Sequence, residues 1–358
     1  MQTMNLVTGG TGLLGSHIVE QLRKRGRPVR ALVRPTADTT WLRSQGVELV
    51  EGDLSDMASV LKACDGVQCI YHAAARVGDW GPWPDFVKVT IEGSKNLFEA
   101  AERAGVPRLI HVSSISVYGH VNQKGLVLDE TAPLGQKLFK WSYYTRAKVI
   151  VEEDLWRRHN AGGKVKYSVI RPSWLYGPRD RATIARLVAM IRNRKAKLLG
   201  SGDNRLNVVY AGNVAEGCIL AADNPSAVGQ AYNCSNDGEL TQRQYFNLIA
   251  KAIGEPPVTK RVPFKVAYRA AFLMECFGHL FKTKKPPLVT RYAVWLMGRD
   301  TFFSAEKARK ELGWTSTVGY EEGIPMTIRW YEENRTGRAA TGGRAISSSP
   351  PVREMAHT

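Results

Sequence analysis

The chain is poor in cysteine. Its five, Cys64, Cys69, Cys218, Cys234 and Cys276, are odd in number and show no C-x-x-C spacing, which excludes a disulfide framework and predicts free thiols in a reducing, cytoplasmic setting. The seven histidines fall into no H-E-x-x-H or related ligand spacing, so no metal is expected. No uncharged run approaches the ~20 residues that a bilayer-spanning helix needs, and no apolar leader precedes the first strand-like run. Acidic residues are scarce beside basic ones, 33 against 50, for a net charge of +17. Such a surface suits an anionic partner: a phosphorylated cofactor, an acidic membrane surface or nucleic acid. The basic residues are dispersed, apart from the knots Arg192-Asn193-Arg194-Lys195 and Lys282-Thr283-Lys284-Lys285. No nucleic-acid module accompanies them, so nucleic acid is not an expected partner. Internal repeats are also lacking.

What the sequence does have is an apolar content of 44% over 358 residues, enough for one large or two modest domains, and one conspicuous glycine stretch. Thr8-Gly9-Gly10-Thr11-Gly12-Leu13-Leu14-Gly15 follows the apolar run 4–7 and opens into 16–25, whose Ile18, Val19 and Leu22 suit a helix face. A strand that turns through glycines into a helix N-terminus presents bare backbone N–H groups and a partial positive charge, which a diphosphate needs. Two spacings fit: G-x-G-x-x-G through Gly10, Gly12 and Gly15, and G-x-x-G-x-x-G through Gly9, Gly12 and Gly15.

Further short apolar runs at 28–33, 47–50, 67–71, 109–112 and 167–170 alternate with helical patterns, one capped at Ser55-Asp56 and others at 92–103 and 142–158. Strands of four to six residues alternating with longer helices imply βαβ units, hence an α/β, Rossmann-type, doubly wound parallel sheet over residues 1–174. The second strand runs into Arg34, with no acid before Asp38. An acid there would hold a ribose 2′-hydroxyl, whereas arginine accommodates a 2′-phosphate, so NADP(H) is favoured over NAD(H). The fourth strand ends in His72-Ala73-Ala74-Ala75, small residues against which a flat cofactor can lie.

From about residue 175 the rhythm loosens. Strand candidates at 206–210 and 231–233 and helices at 214–222 and 241–253 predict a smaller, mostly helical substrate lobe over 175–333, its chain partly interleaved with the first domain. Residues 262–281 and 287–297 are dense in large apolar side chains but interrupted by Lys265, Arg269 and Glu275. Three roles suit them: cover for a lipophilic pocket, a helix lying on a membrane surface beside the 282–285 knot, or core. Residues 334–358 turn to Gly, Ser, Ala and Pro and predict a disordered tail.

Tyr144 and Lys148 lie at i and i+4 of a predicted helix, so hydroxyl and ammonium share a face. A cation beside the phenol is expected to lower its pKa and make it an acid or base near neutrality. In chain order come the glycine loop, the small-residue strand end, the hydroxyl-rich Val112-Ser113-Ser114, then Tyr144 and Lys148. With Gly52-Asp53-Leu54, Ser113-Ser114-x-x-Val117-Tyr118-Gly119 and Arg171-Pro172-x-x-x-Tyr176-Gly177-Pro178, this combination resembles the extended short-chain dehydrogenase/reductase family over residues 4–333.

The resemblance selects the register Gly9, Gly12, Gly15 and implies a set of roles. Ser114 would hydrogen-bond the substrate oxygen, Tyr144 exchange the proton, and Lys148 grip the nicotinamide ribose. The cofactor would lie against Gly9, Thr11, Gly12, Leu13, Leu14 and Gly15, with Arg34, Asp53 and Leu54 at its adenosine end. Ala73, Ala74, Ala75 and Ser113 would flank its middle, and Pro172 its nicotinamide. Thr90 stands where the family usually has Asn. Within the family, Ala74-Ala75-Arg76-Val77-Gly78-Asp79-Trp80-Gly81 and Val262-Pro263-Phe264-Lys265-Val266-Ala267-Tyr268 resemble the 3β-hydroxysteroid dehydrogenase and 2-alkyl-3-oxoalkanoate reductase group. Trp80, Trp83 and the apolar C-terminal segments would then line an oily pocket for a small lipophilic substrate, worked on by alcohol–ketone interconversion. The alternative is a nucleotide-sugar epimerase or dehydratase with tightly bound NAD, for which Arg179 and Arg205 would clamp the diphosphate. The resemblance also implies a homodimer through the helices at 92–103 and 142–158.

Overall fold

The computed structural model describes residues 3–181 and 183–340, with side chains to 335. Seven strands form one parallel sheet: β1 (Met4–Thr8), β2 (Val29–Val33), β3 (Glu48–Glu51), β4 (Val67–His72), β5 (Arg108–Val112), β6 (Lys166–Pro172) and β7 (Ala231–Cys234), in the order β7-β6-β5-β4-β1-β2-β3. Successive strand residues point to opposite faces, and here both faces are apolar. Leu6, Leu32, Leu109 and Val169 join one buried cluster, while their neighbours Val7, Ala31, Ile110 and Ile170 join the other. That is the pattern of a sheet covered by helices on both sides. Helices α1 (Leu13–Lys24) and α5 (Ala211–Asp223) cover the face that holds Val7; α2 (Met57–Cys64), α3 (Gly93–Arg103) and α4 (Tyr143–Asn160) cover the other. Asp56 caps α2 by accepting from the Ala58 and Ser59 N–H groups, both at 3.2 Å.

Strand order reverses between β1 and β4, so their C-terminal ends diverge from the connecting loops and leave the crevice where open α/β sheets take ligands. The chain beyond 175 returns to this sheet more fully than the sequence pattern indicates. Residues 231–234 are its edge strand, paired with β6, and α5 packs against α1. A four-residue strand buried throughout carries no period that distinguishes sheet from lobe. The other strand candidate in that region does lie off the sheet, as Val208–Tyr210 paired with Trp174–Tyr176.

The rest of the lobe gathers the helix Thr183–Arg192, α6 (Gln242–Ala252) and α9 (Tyr320–Ala340) around Tyr176, Leu187, Phe246 and Ile324. Beside it α7 (Phe264–Leu280) and α8 (Arg291–Gly298) pack on each other through Ala271 and Val294. Helix α9 continues past Asn334 to Ala340, into the stretch read as a tail; residues 341–358 lie outside the described residues. Among the described residues no helix is long and apolar enough to cross a membrane, and all five cysteines are unpaired.

Candidate active site

Between β1 and α1 the backbone is so closely packed that it dictates glycine. Gly9 has φ +74°, and a Cβ there would sit 2.8 Å from the Ala74 nitrogen. A Cβ on Gly15 would sit 2.1 Å from the Gly9 carbonyl oxygen, and one on Gly12 3.2 Å from the same atom. At Gly10 the nearest neighbours would be 3.6 Å away, an ordinary contact. Sterics therefore select Gly9, Gly12 and Gly15 over the spacing through Gly10. The Gly12 N–H donates to the Gly9 carbonyl at 2.9 Å. Helix α1 then begins with neither a side-chain cap nor an acid in its first turn, so its leading N–H groups and dipole face the crevice without a protein anion. This cradle fits a dinucleotide diphosphate. Thr11 and Leu13 are half-buried at its rim; Leu14 is buried in the core and can offer only backbone.

Arg34 is exposed at the end of β2, and among the described residues no carboxylate forms an ion pair with it. Asp53, at the end of β3, accepts from the Ser55 N–H at 2.9 Å and the Ser55 hydroxyl at 2.7 Å. Partial burial opposes its ionisation, but these bonds and the charges of Arg34 and Lys88 hold its carboxyl below the usual range. Leu54, Ala73, Ala74 and Ala75 are half-buried along the same edge, and the Ala73 N–H closes on the Thr8 carbonyl at 3.2 Å. Under them His72 bridges Thr8 (2.7 Å) and Ser94 (2.9 Å), buried and neutral.

At the ends of β5 and α4, Ser114, Tyr144 and Lys148 come together as the resemblance implies. The Lys148 ammonium donates to the Val112 carbonyl at 2.7 Å. Burial pushes its pKa down to about 8, against the pull of Glu152. Ser114 accepts from the Ser116 N–H at 3.1 Å and interacts with the Tyr144 hydroxyl. One expectation is reversed: burial raises the Tyr144 pKa above its ordinary value, with the Ser114 hydroxyl opposing. The ammonium is held at the Val112 carbonyl rather than at the phenol. Ser113 turns away from the crevice and donates to Glu152, which also receives Arg171; Arg171 in turn donates to the Tyr118 hydroxyl at 2.7 Å. Pro172 is buried at the end of β6.

Trp80 and the apolar C-terminal segments were expected near the pocket, whereas Glu275, Arg291, Tyr292 and His120 carried no sequence signal for the site. Helix α7 lies over the crevice. Its Glu275 accepts from the Arg291 N–H (2.7 Å) and Nε (2.6 Å), and its C-terminal half packs Gly278 and His279 on Trp80. Trp80 donates to the Thr283 carbonyl at 3.0 Å, so the loop after β4 and the end of α7 form one roof. Trp83 packs at a tilt against Tyr143 instead, with ring centres 5.4 Å apart. Tyr292 of α8 meets the Tyr144 ring at 6.4 Å. His120 hydrogen-bonds Ser142 at 3.1 Å and stacks on Phe139 at 3.9 Å; burial pushes its pKa down to about 3. Thr90 accepts from the Arg76 N–H at 3.0 Å, a structural role for the position where the family has Asn. The two candidate clamp arginines are engaged elsewhere. Arg179 donates to Ser16 at 2.8 Å and pairs with Glu20 above the Trp41 ring, and Arg205 pairs with Glu239 above Phe302.

Comparison with known proteins agrees with this geometry. Residues 5–235 match the NAD dependent epimerase/dehydratase family. The chain is 31% identical over 325 residues to 2-alkyl-3-oxoalkanoate reductase of Stenotrophomonas maltophilia (strain K279a), covering 89% of this chain and 96% of that one. It is 28% identical over 337 residues to sterol-4-alpha-carboxylate 3-dehydrogenase, decarboxylating, of Mus musculus, covering 92% and 91%. The crystal structure of gox2253 superposes with a TM-score of 0.78 at 28% identity, over 93% of this chain and 99% of that one. This chain belongs to the NAD dependent epimerase/dehydratase family, the extended short-chain dehydrogenase/reductases, and is an oxidoreductase.

Proposed function

We propose that the protein interconverts a secondary alcohol and a ketone on a lipophilic substrate, with NADP(H) as the preferred cofactor. The observation that carries this reading is Tyr144 beside Ser114 beneath an aromatic roof built from Trp80, Trp141, Tyr292 and α7. In the reductive direction Ser114 holds the carbonyl oxygen and Tyr144, protonated because burial raises its pKa, delivers the proton to it. In the oxidative direction the same hydroxyl takes the proton back. Lys148 supplies a fixed cation at the end of β5 to orient a ribose. When bound, the nicotinamide gives or takes the hydride at the carbinol carbon. Exposed Arg34, with no acid beside it on β2, supports the 2′-phosphate of NADP(H). Against the nucleotide-sugar alternative, Arg179 and Arg205 are both committed to carboxylates.

Tyr144→Phe should abolish turnover and leave NADPH binding near the wild-type value; undiminished activity in that variant would overturn the mechanism. Tighter binding of NAD(H) than NADP(H) by the wild type would overturn the cofactor assignment.

The outer face of α7 supports peripheral contact with an anionic membrane. Leu273, Phe277 and Leu288 are 67%, 64% and 74% exposed and line an open groove of about 530 Å³ together with Thr283 and Lys285; Leu280, at the end of the same helix, is 75% exposed. Apolar side chains flanked by Lys282, Lys284 and Lys285 match a lipid surface of opposite charge. Flotation with phosphatidylglycerol vesicles tests it: wild type should float, and Phe277→Ser with Leu280→Ser should not.

A further inference from the structure

Three arginines are buried among the described residues, and two have carboxylate partners. Arg171 is held by Glu152 and Arg291 by Glu275. The third, Arg299, is 1% exposed, and its Nε and both terminal nitrogens have no hydrogen-bond acceptor among the described residues. Its guanidinium lies over the Trp295 ring (4.1 Å) and the Phe303 ring (4.9 Å). Aromatic contact of this kind leaves the N–H groups to find an acceptor. Leaving a buried charge unpaired is costly, so such a cation is expected to have a use.

Its surroundings connect it to the chemistry. Tyr292 is the titratable neighbour that Arg299 faces, and burial keeps its phenol protonated, so it supplies no anion. The same Tyr292 ring meets Tyr144 at 6.4 Å on one hand and, on the other, at 5.7 Å, the Trp295 ring that carries the Arg299 guanidinium. His120, which packs on Trp295 with ring centres 5.0 Å apart, stays neutral and so adds no competing cation. Lys148, by contrast, is already occupied by Val112 and faces Glu152.

The named substrates of the two relatives share one chemical feature. In a 3-oxoalkanoate, and in a sterol 4-carboxylate oxidised at carbon 3, the carboxylate is attached to the carbon adjacent to the reacting one. Such a substrate brings an anion a few ångströms from the catalytic tyrosine into an otherwise apolar site, where it needs a charge-assisted partner.

We propose that Arg299 binds the carboxylate of a 3-oxo or 3-hydroxy acid whose reacting oxygen lies on Ser114 and Tyr144. The proposal deepens the alcohol–ketone reading above and rests on it. Arg299 then sets both specificity and orientation: the acid is chosen over a neutral ketone, and its reacting carbon is fixed relative to Tyr144.

The test compares a long-chain 2-alkyl-3-hydroxyalkanoate with its methyl ester, following NADPH formation. Wild type should prefer the acid. In Arg299→Met, kcat/KM for the acid should fall by at least ~30-fold, the loss typical of a truncated buried charge pair, while the ester changes by about twofold or less; Arg299→Lys should recover part of the acid activity. Equal losses on acid and ester, or no loss on the acid, would overturn the proposal. Calorimetry with the non-reactive 2-alkylalkanoate separates the two readings. If wild type oxidises neither compound, the alcohol–ketone reading falls, and calorimetry still decides the Arg299 site. Should Arg299→Met fail to fold, the comparison is made on wild type and Arg299→Lys, where tighter binding of the carboxylate than of its ester to wild type supports the site and equal binding overturns it.

Discussion

Glu152 lies one helical turn beyond Lys148 on α4, and both side chains reach the same strand end, Lys148 to the Val112 carbonyl and Glu152 to the Ser113 hydroxyl. Glu152 is fully buried and also holds Arg171. One carboxylate thus joins α4, β5 and β6 directly beneath the catalytic residues. Glu152→Gln leaves Arg171 buried without an anion, so unfolding stability should fall by roughly 3–5 kcal/mol. Urea denaturation of the two proteins measures it; a loss below about 1 kcal/mol would mean that the pair is weaker than its burial implies.

The same pair sets a pH limb. Lys148 titrates at about 8 in the free protein because burial outweighs the attraction of Glu152. If its charge is needed to seat the ribose, kcat/KM should decline above about pH 8. Glu152 raises the Lys148 pKa, so a folded Glu152→Gln must move that limb to lower pH. Initial rates from pH 6 to pH 10 at low substrate check the direction.

For the glycine loop the expectation is asymmetric. Gly15→Ala places a methyl 2.1 Å from the Gly9 carbonyl oxygen, and Gly9→Ala places one against the Ala74 backbone at a positive φ. Neither backbone can yield without deforming the cradle, so both variants should lose cofactor affinity. Gly10→Ala meets only ordinary contacts and should bind NADPH nearly as well as wild type. Fluorescence titration of the three variants decides the register, and a strong loss in Gly10→Ala would reverse it.

The framework of the fold was legible because its strands are short apolar runs with helices between them, and Gly9, Gly12, Gly15, Tyr144 and Lys148 lie in patterns whose spacing has a mechanical cause. The roof over the crevice was legible only as one of three roles for residues 262–281 and 287–297, and its contacts were not. Glu275 and Arg291, or Trp80 and Thr283, meet only when α7 folds back across the sheet, and no local period encodes that approach. Arg299 shows the limit most clearly. One arginine among many, it is distinguished by burial against Trp295 and Phe303 and by the lack of an acceptor, and neither can be read along the chain. The direction of the Tyr144 shift was missed for a related reason: spacing puts Lys148 on the same helix face, but only the fold reveals that the ammonium is spent on Val112.

Four buried histidines bear on acid stability. Burial is the largest cause pushing His17, His72 and His120 down to about 3, and His111 well down, each from an ordinary value of about 6.5. Between those values the unfolded chain binds more protons than the folded one, so stability is complete above about pH 6.5 and is lost progressively as pH falls toward 3. Asp237 works the other way. Burial raises it to about 6, so the folded chain takes up its proton first and stability gains slightly as pH drops through that value. Burial raises Glu130 in the same sense, and four histidines against two carboxyls leave a net decline. Melting temperature should therefore fall steadily from pH 7 to pH 4.5. His72→Gln, which keeps a donor and an acceptor for Thr8 and Ser94, should make the decline shallower, and an unchanged slope in that variant would remove His72 from the account.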